Sequence, residues 1–273
     1  ATLMRSDMNP DVETRVRVLL DRLCMPRAAT ALATLPEDPA RRVAILEGVE
    51  RLLRTEVDDR RERRIQRRID EARFADQPTL ESFDFAFQPA LDRGLVMDLA
   101  TLAWVDRRED LVLIGQSGVG KSHIAKALAM AGCGQERRVR YTTCAEMLAR
   151  LHASLADGSL RSALKVYTRP ELLVVDDLGY DPIEQEHARE AQLLYKVLEA
   201  RHGKFSTIVT SNLPAEKWAE YLGNHYLTVA LLDRLLYNGT VIVIEGPSYR
   251  LAKHNSRQKE RAARSRATVA DAS

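Results

Sequence analysis

The stretch Gly115-Gln116-Ser117-Gly118-Val119-Gly120-Lys121-Ser122 matches G-x-x-x-x-G-K-[ST], the Walker A pattern, at every fixed position. The chemistry of that spacing is phosphate binding. Glycines at 115, 118 and 120 let the backbone take conformations closed to residues with a Cβ and turn successive N–H groups toward one anion. Lys121 would reach the β- and γ-phosphates of a nucleotide as a point charge, and the Ser122 hydroxyl would take a place on Mg²⁺. His123 follows directly and is a further candidate nucleotide contact.

Three more segments carry residues of the kind such a loop needs. Leu172-Leu173-Val174-Val175-Asp176-Asp177 is an apolar run ending in two carboxylates, a Walker B form. Asp176 would act on Mg²⁺ directly or through water, and Asp177 would orient and polarise an attacking water. Thr207-Ile208-Val209-Thr210-Ser211-Asn212 ends in polar residues. Asn212 would either meet the γ-phosphate and the lytic water or cap a helix opened by Pro214, and the strand's end beside the phosphate site favours the first. Arg234, in Leu232-Asp233-Arg234-Leu235, would pair with Asp233, cap a helix end, or neutralise transition-state charge in a neighbouring subunit's site. Arg250, after the last apolar run, would reach the phosphates of its own subunit.

These residues need a parallel sheet to bring them together. Short apolar runs at Leu111 to Ile114, Val139 to Thr142, Leu172 to Asp176, Thr207 to Thr210 and Val241 to Ile244 predict five strands, and helical periodicity fills the intervals at Ala145 to Leu155, Ala188 to His202 and Val229 to Leu236. Alternation of this kind predicts an α/β fold with helices on both faces of the sheet. Ahead of it, residues 1–75 read as a small all-helical domain. Asn9-Pro10 opens a helix with Val12, Val16, Leu19 and Leu23 on one face, and Ala40 to Arg73 carries a stripe of Leu46, Leu53, Val57 and Ile65. Residues 76–90, with Pro78 and alternating aromatics, predict an extended connector; 91–252 form the nucleotide-binding domain, and 253–273 a basic, unstructured tail.

Composition bounds the rest. The 273 residues carry 45% hydrophobic and 29% charged side chains and a net charge of +2, an ordinary globular balance. Cys24, Cys133 and Cys144 have no metal-like spacing, and no apolar run approaches a membrane span, so the expectation is a cytoplasmic protein in a reducing compartment. The charge is unevenly spread: arginines crowd 51–73, Arg60, Arg64 and Arg67 among them, and 250–266 is basic again. These clusters are candidate contacts to nucleic-acid phosphates, with interleaved acids that would also suit a solvated helix of i,i+4 ion pairs.

With these residues assembled, the chain resembles the AAA+ ATPases, and within them the IstB-like branch that is similar to the DnaC helicase loaders. The resemblance rests on GQSGVGKS at 115–122, LLVVDDLGY at 172–180, IVTSN at 208–212, LLDRLLYNG at 231–239, SYR at 248–250 and FDFAFQPALDR at 83–93. It implies an AAA+ P-loop NTPase core with a five-stranded parallel sheet in the order 5-1-4-3-2 and little helical lid. It implies ATP and Mg²⁺ as cofactors, Asn212 in the sensor 1 role, Arg234 as a finger across a homo-oligomer interface, and Arg250 as sensor 2. The function implied is that of a bacterial ATPase that binds double-stranded DNA, self-assembles and presents target DNA to an IstA-type transposase. A helicase loader, a small-molecule kinase and a nucleotide-locked adaptor are the other readings. An extra helix near 157–165 would contact DNA in such proteins, which makes Arg161, Lys165 and Arg169 candidate phosphate contacts. Asp177 departs from the glutamate of many AAA+ enzymes and implies slow turnover.

Overall fold

The computed structural model describes residues 11–179 and 187–258. They fall into two compact units that divide between Gln66 and Arg67. In the first unit, α1 (Val12–Arg22) and α2 (Pro26–Ala31) precede α3 (Pro39–Ala72), which runs through the division. Asp11 caps α1 by accepting the Thr14 N–H at 2.6 Å; Asn9 and Pro10, the expected opening, lie outside the described residues. Val16, Leu20, Leu32 and Leu46 form a small core, with Leu53 packed against it. Glu50 sits between two guanidiniums, Arg15 at 2.9 Å and Arg54 at 2.5 Å, and their hydrogen bonds hold its carboxyl down at about 2. Farther along α3, Arg60 pairs with Glu56 at 2.7 Å and Arg63 lies 3.7 Å from Asp59, so the arginine cluster is in part the i,i+4 lacework its acids suggested.

The second unit is the expected α/β layer. After α4 (Arg93–Ala100) and α5 (Ala103–Asp106), strands β1 (Leu111–Gly115), β2 (Val139–Thr143), β3 (Leu172–Leu178), β4 (Ser206–Ser211) and β5 (Thr240–Ile244) alternate with α6 (Lys121–Gly134), α7 (Cys144–Ala156), α8 (Leu160–Thr168), α9 (His187–Arg201), α10 (Trp218–Leu222) and α11 (His225–Tyr237). All strand pairings are parallel and the order is β2-β3-β4-β1-β5, the expected 5-1-4-3-2 seen from the other edge. Period-two alternation divides the strands' side chains between two cores. Leu111, Leu113, Val174 and Ile208 meet α6 on one face, and Val112, Ile114, Val175 and Val209 meet α7, α9 and α11 on the other.

Arg201 pins the edge of this layer. Its guanidinium, 1% exposed, donates to the carbonyls of Tyr167, Pro170 and Ser206 and to the Thr207 hydroxyl, tying the end of α8 to the start of β4. Burial draws its pKa down to about 9.

Two expectations need correction. Residues 76–90 are not extended throughout. From Thr79 onward they form consecutive tight turns, with Ser82 N–H bonded to the Thr79 carbonyl, Phe83 to Leu80, Phe87 to Asp84 and Gln88 to Phe85, because Asp84 and Ser82 supply local side-chain partners that favour turns. The tail does not begin as coil at 253: residues 249–258 are helical, here α12, with Ala252 N–H bonded to the Ser248 carbonyl. Residues 259–273 lie outside the described ones.

The folded pKa of Glu50 lies below its ordinary 4.5, so its contribution to stability is complete above pH 4.5 and is lost as the pH falls toward 2. An acid titration followed by circular dichroism should show Glu50→Gln less stable than wild type at pH 7, with the gap closing across that window. A gap that stays constant down to pH 2 would refute the assignment.

Candidate nucleotide-binding site

Every element of the site lies at the carboxyl edge of the parallel sheet, where the loops after β1, β3, β4 and β5 converge. The loop after β1 turns into α6 at Lys121, with Gly118 at φ 86° and Gly120 at φ 105°, a region that disfavours any Cβ. Gly120 has a second reason: a Cβ there would come within 2.5 Å of the Phe83 ring, which lies over the loop. The N-terminal N–H groups of α6 therefore open into a cavity of about 630 Å³. Lys121 is 5% exposed and folds back, its Nζ donating to the carbonyls of Gly115 at 2.7 Å and Gln116 at 2.9 Å. Burial lowers its pKa, opposed by the charges of Asp177 and Asp176.

A β-bulge sets the carboxylates. Val175 pairs with Val209 and Leu178 with Ser211, so β3 spends one residue more than β4 over the same span, and Asp177 takes φ 58°. Asp176 is thereby turned inward, 2% exposed, where three hydroxyls donate to it. Ser122 and Thr210 reach Oδ1 at 2.9 and 2.5 Å, and Tyr141 reaches Oδ2 at 2.6 Å. Thr210 also accepts the Asp177 N–H at 2.9 Å, which leaves its own proton for Asp176. Burial and the Asp176 charge push the Tyr141 phenol upward, so it remains a donor. Asp177 faces the cavity, its pKa raised by burial and then by Asp176, with Lys121 and Arg250 acting in the opposite sense.

Asn212 also lines the cavity, and its buried Oδ1 has no hydrogen-bond partner. The capping alternative fails: the turn after β4 is closed by Ser211 Oγ, which accepts the Leu213 N–H at 3.1 Å, and Pro214 precedes its short helical turn without a side-chain cap. Arg250 lines the same cavity from α12.

Residues 18–258 match the family model described as IstB-like ATP binding protein. The chain belongs to this family. The IstB-like chain is 37% identical over 237 residues to an insertion sequence IS21 ATP-binding protein of Pseudomonas aeruginosa, covering 86% of this chain and 88% of that one. It is 32% identical to an insertion sequence IS232 ATP-binding protein of Bacillus thuringiensis subsp. berliner, covering 80% and 86%. Among solved structures, domain III of the Thermotoga maritima replication initiation protein DnaA superposes with a TM-score of 0.51 at 21% identity, over 62% of this chain and 67% of that one. A DNA replication initiation factor gives 0.53 at 18% identity, over 67% and 54%. These likenesses show the AAA+ fold.

Of the residues expected at the site, the cavity gathers Ser117, Gly118, Val119, Gly120, Lys121, Ser122, His123, Asp177, Asn212 and Arg250. Asp176 lies behind it through Ser122, and Gly115 and Gln116 act through the carbonyls that hold Lys121. His123 belongs to the connector: its Nε2 is 2.9 Å from the Thr79 carbonyl and 3.2 Å from Ser82 Oγ. Arg234 is elsewhere. It pairs with Glu199, not Asp233, donates to the Ala230 carbonyl at 3.1 Å and stacks over Tyr195. Arg161 and Lys165 line a separate shallow groove of about 370 Å³ on α8, and Arg169 caps the end of that helix. Arg60, Arg64 and Arg67 stand on α3.

Sequence reasoning missed Tyr141 and Thr210 as ligands of Asp176, and Phe83, Phe87, Gln88 and Tyr249 as cavity walls. The aromatic spacing at 83–87 was a visible signal for the walls; a tyrosine inside a strand gave none.

Thr210→Val preserves shape but leaves Asp176 one donor short and the Asp177 N–H unpaired. Urea unfolding should show a loss of about 1–3 kcal/mol, and a smaller one for Thr210→Ser, which keeps the hydroxyl. Equal losses for the two variants would refute the role of the hydroxyl.

Proposed function

We propose that the protein is an ATPase that assists an insertion-sequence transposase: with ATP it assembles on double-stranded DNA in the bacterial cytoplasm and delivers that DNA to an IstA-type partner, stimulating transposition. The observation that carries the reading is the convergence of Lys121, Ser122, Asp177, Asn212 and Arg250 on one cavity, with Asp176 directly behind, in a chain of the IstB-like family. The nest and Lys121 would hold the phosphates, Asn212 and Arg250 would meet the γ-phosphate end, and Asp177 would orient water. Ser122 and Asp176 are hard oxygen donors suited to Mg²⁺, which when bound neutralises phosphate charge. Among the described residues there is no cluster of three His, Cys, Asp or Glu for a softer metal, and no helix long and apolar enough to cross a membrane.

Arg234 lies outside its own subunit's cavity, held by Glu199, so a part in hydrolysis would be played in a neighbour's. Phosphate contacts from Arg161, Lys165, Arg169, Arg60, Arg64 and Arg67 would position DNA without reading its sequence. The side chain of Asp177, one methylene shorter than glutamate, suits slow turnover and a switch-like use of ATP.

ATP hydrolysis and sedimentation, measured together with and without nonspecific duplex DNA, test this reading. Wild type should assemble with ATP and DNA and change its turnover, and Lys121→Ala should lose both effects; a wild type that stays monomeric and indifferent to DNA would overturn it. Arg234→Ala should retain nucleotide binding while hydrolysis falls by up to about 10³-fold, and an ATPase equally active in a strictly monomeric preparation would remove its role across an interface. Six phosphate contacts predict a loss of about 10³ in DNA affinity between 50 and 200 mM salt, read by fluorescence anisotropy.

A further inference from the structure

Of the three residues whose hydroxyls meet Asp176, Ser122 lines the cavity; Tyr141, Thr210 and Asp176 itself do not. A serine hydroxyl has one proton and two lone pairs. With its proton given to Asp176 Oδ1 at 2.9 Å, Ser122 keeps both lone pairs for whatever the cavity holds. Any effect of Asp176 on an ion in the cavity therefore runs through the direction of that proton. Oδ1 is taken twice, by Ser122 and by Thr210 at 2.5 Å, whereas Oδ2 has one donor, the Tyr141 phenol at 2.6 Å. A carboxyl group held at one oxygen can still swing its plane, and a bond to the other oxygen stops it. The phenol is braced in turn. Its ring is buried, packs on Phe74 at 5.8 Å and has Lys126 Nζ over its face at 5.0 Å. Lys126 stands one turn beyond Ser122 on α6 and is itself paired with Asp76 at 2.5 Å.

We infer that Tyr141 is a positioning residue for the metal ion of this cavity: by holding the second oxygen of Asp176 it keeps the Ser122 oxygen turned toward the ion. The inference rests on the reading that the cavity takes a nucleotide with Mg²⁺, and adds a residue outside both the phosphate loop and the strand of the carboxylates. Phenylalanine would fill the same space in the core, so packing alone does not call for the hydroxyl. Partners of this kind, one step behind a metal's ligands, orient them and tune affinity.

Anisotropy of a fluorescent ADP titrated with the full chain, once in EDTA and once at saturating Mg²⁺, tests the inference through the ratio of the two affinities. A packing defect that weakens nucleotide binding enters both measurements and cancels. Tyr141→Phe should lower the ratio by about tenfold and leave the affinity in EDTA unchanged. Phe74→Leu loosens the seat of the ring and removes no hydrogen bond; it should lower the ratio by a smaller factor, and it decides the matter if Tyr141→Phe does not fold. In Ser122→Ala the route from Asp176 to the ion is gone, so adding Tyr141→Phe should change nothing further. A wild type indifferent to Mg²⁺, a ratio untouched by Tyr141→Phe, or a full tenfold loss on top of Ser122→Ala would overturn the role of Tyr141 and leave nucleotide binding standing. No ADP binding in wild type, with Lys121→Ala indistinguishable, would sink both.

Discussion

A carboxylate with almost no access to water is the fixed point of the second unit. Asp176 is 2% exposed, and burying so polar a group is tolerable only because three hydroxyls from three elements donate to it: Ser122 at the start of α6, Tyr141 on β2 and Thr210 on β4. Each donor is held in turn. Ser122 is the last residue of the phosphate loop, Tyr141 packs on Phe74 and lies beneath Lys126, and Thr210 is fixed by the Asp177 N–H. The sheet edge and the phosphate loop are thus joined through one group, and the bulge in β3 is the local irregularity that turns that group inward. The same irregularity presents Asp177 to the cavity, so two adjacent carboxylates of one strand acquire separate environments.

Much of this was legible from residue patterns. Five apolar runs separated by helical periodicity predict the parallel sheet, and each run is found as a strand within about two residues of its expected ends. The phosphate loop announces itself because its glycines answer a backbone requirement that few other sequences meet. The order of strands came from family likeness, since periodicity says which residues face a core but not which strands are neighbours. Tyr141 and Thr210 were invisible as ligands of Asp176 because a polar residue within a strand has no local signature; its role depends on what the neighbouring strand places opposite it. Arg234 shows the converse. Its sequence neighbour Asp233 offered a partner, yet the helix carries the two to different sides and Glu199 of α9 takes the pair instead.

The connector was misread for a related reason. Alternating aromatics at 83–87 suggest an extended connector, but Asp84 and Ser82 bond the backbone three residues away and close the chain into turns. The aromatic rings then serve packing: Phe83 covers Gly120 and meets the His123 ring, and Phe87 meets Tyr249. A glycine in the loop and a phenylalanine 37 positions earlier therefore constrain one another.

The walls of the nucleotide cavity come from opposite ends of the second unit, one from residues 76–88 and the other from residues 249–253. Gln88 reaches Pro247 across 159 positions, and the Tyr249 N–H reaches the Gly118 carbonyl. Contacts of such long range close late, because the intervening chain must be ordered first. On a ribosome the phosphate loop emerges well before its second wall exists, and β5 and the turn after it are still to be made. A nascent chain stopped short of Tyr249 would hold the nest without the enclosure, so the cavity as a whole exists only in the finished unit.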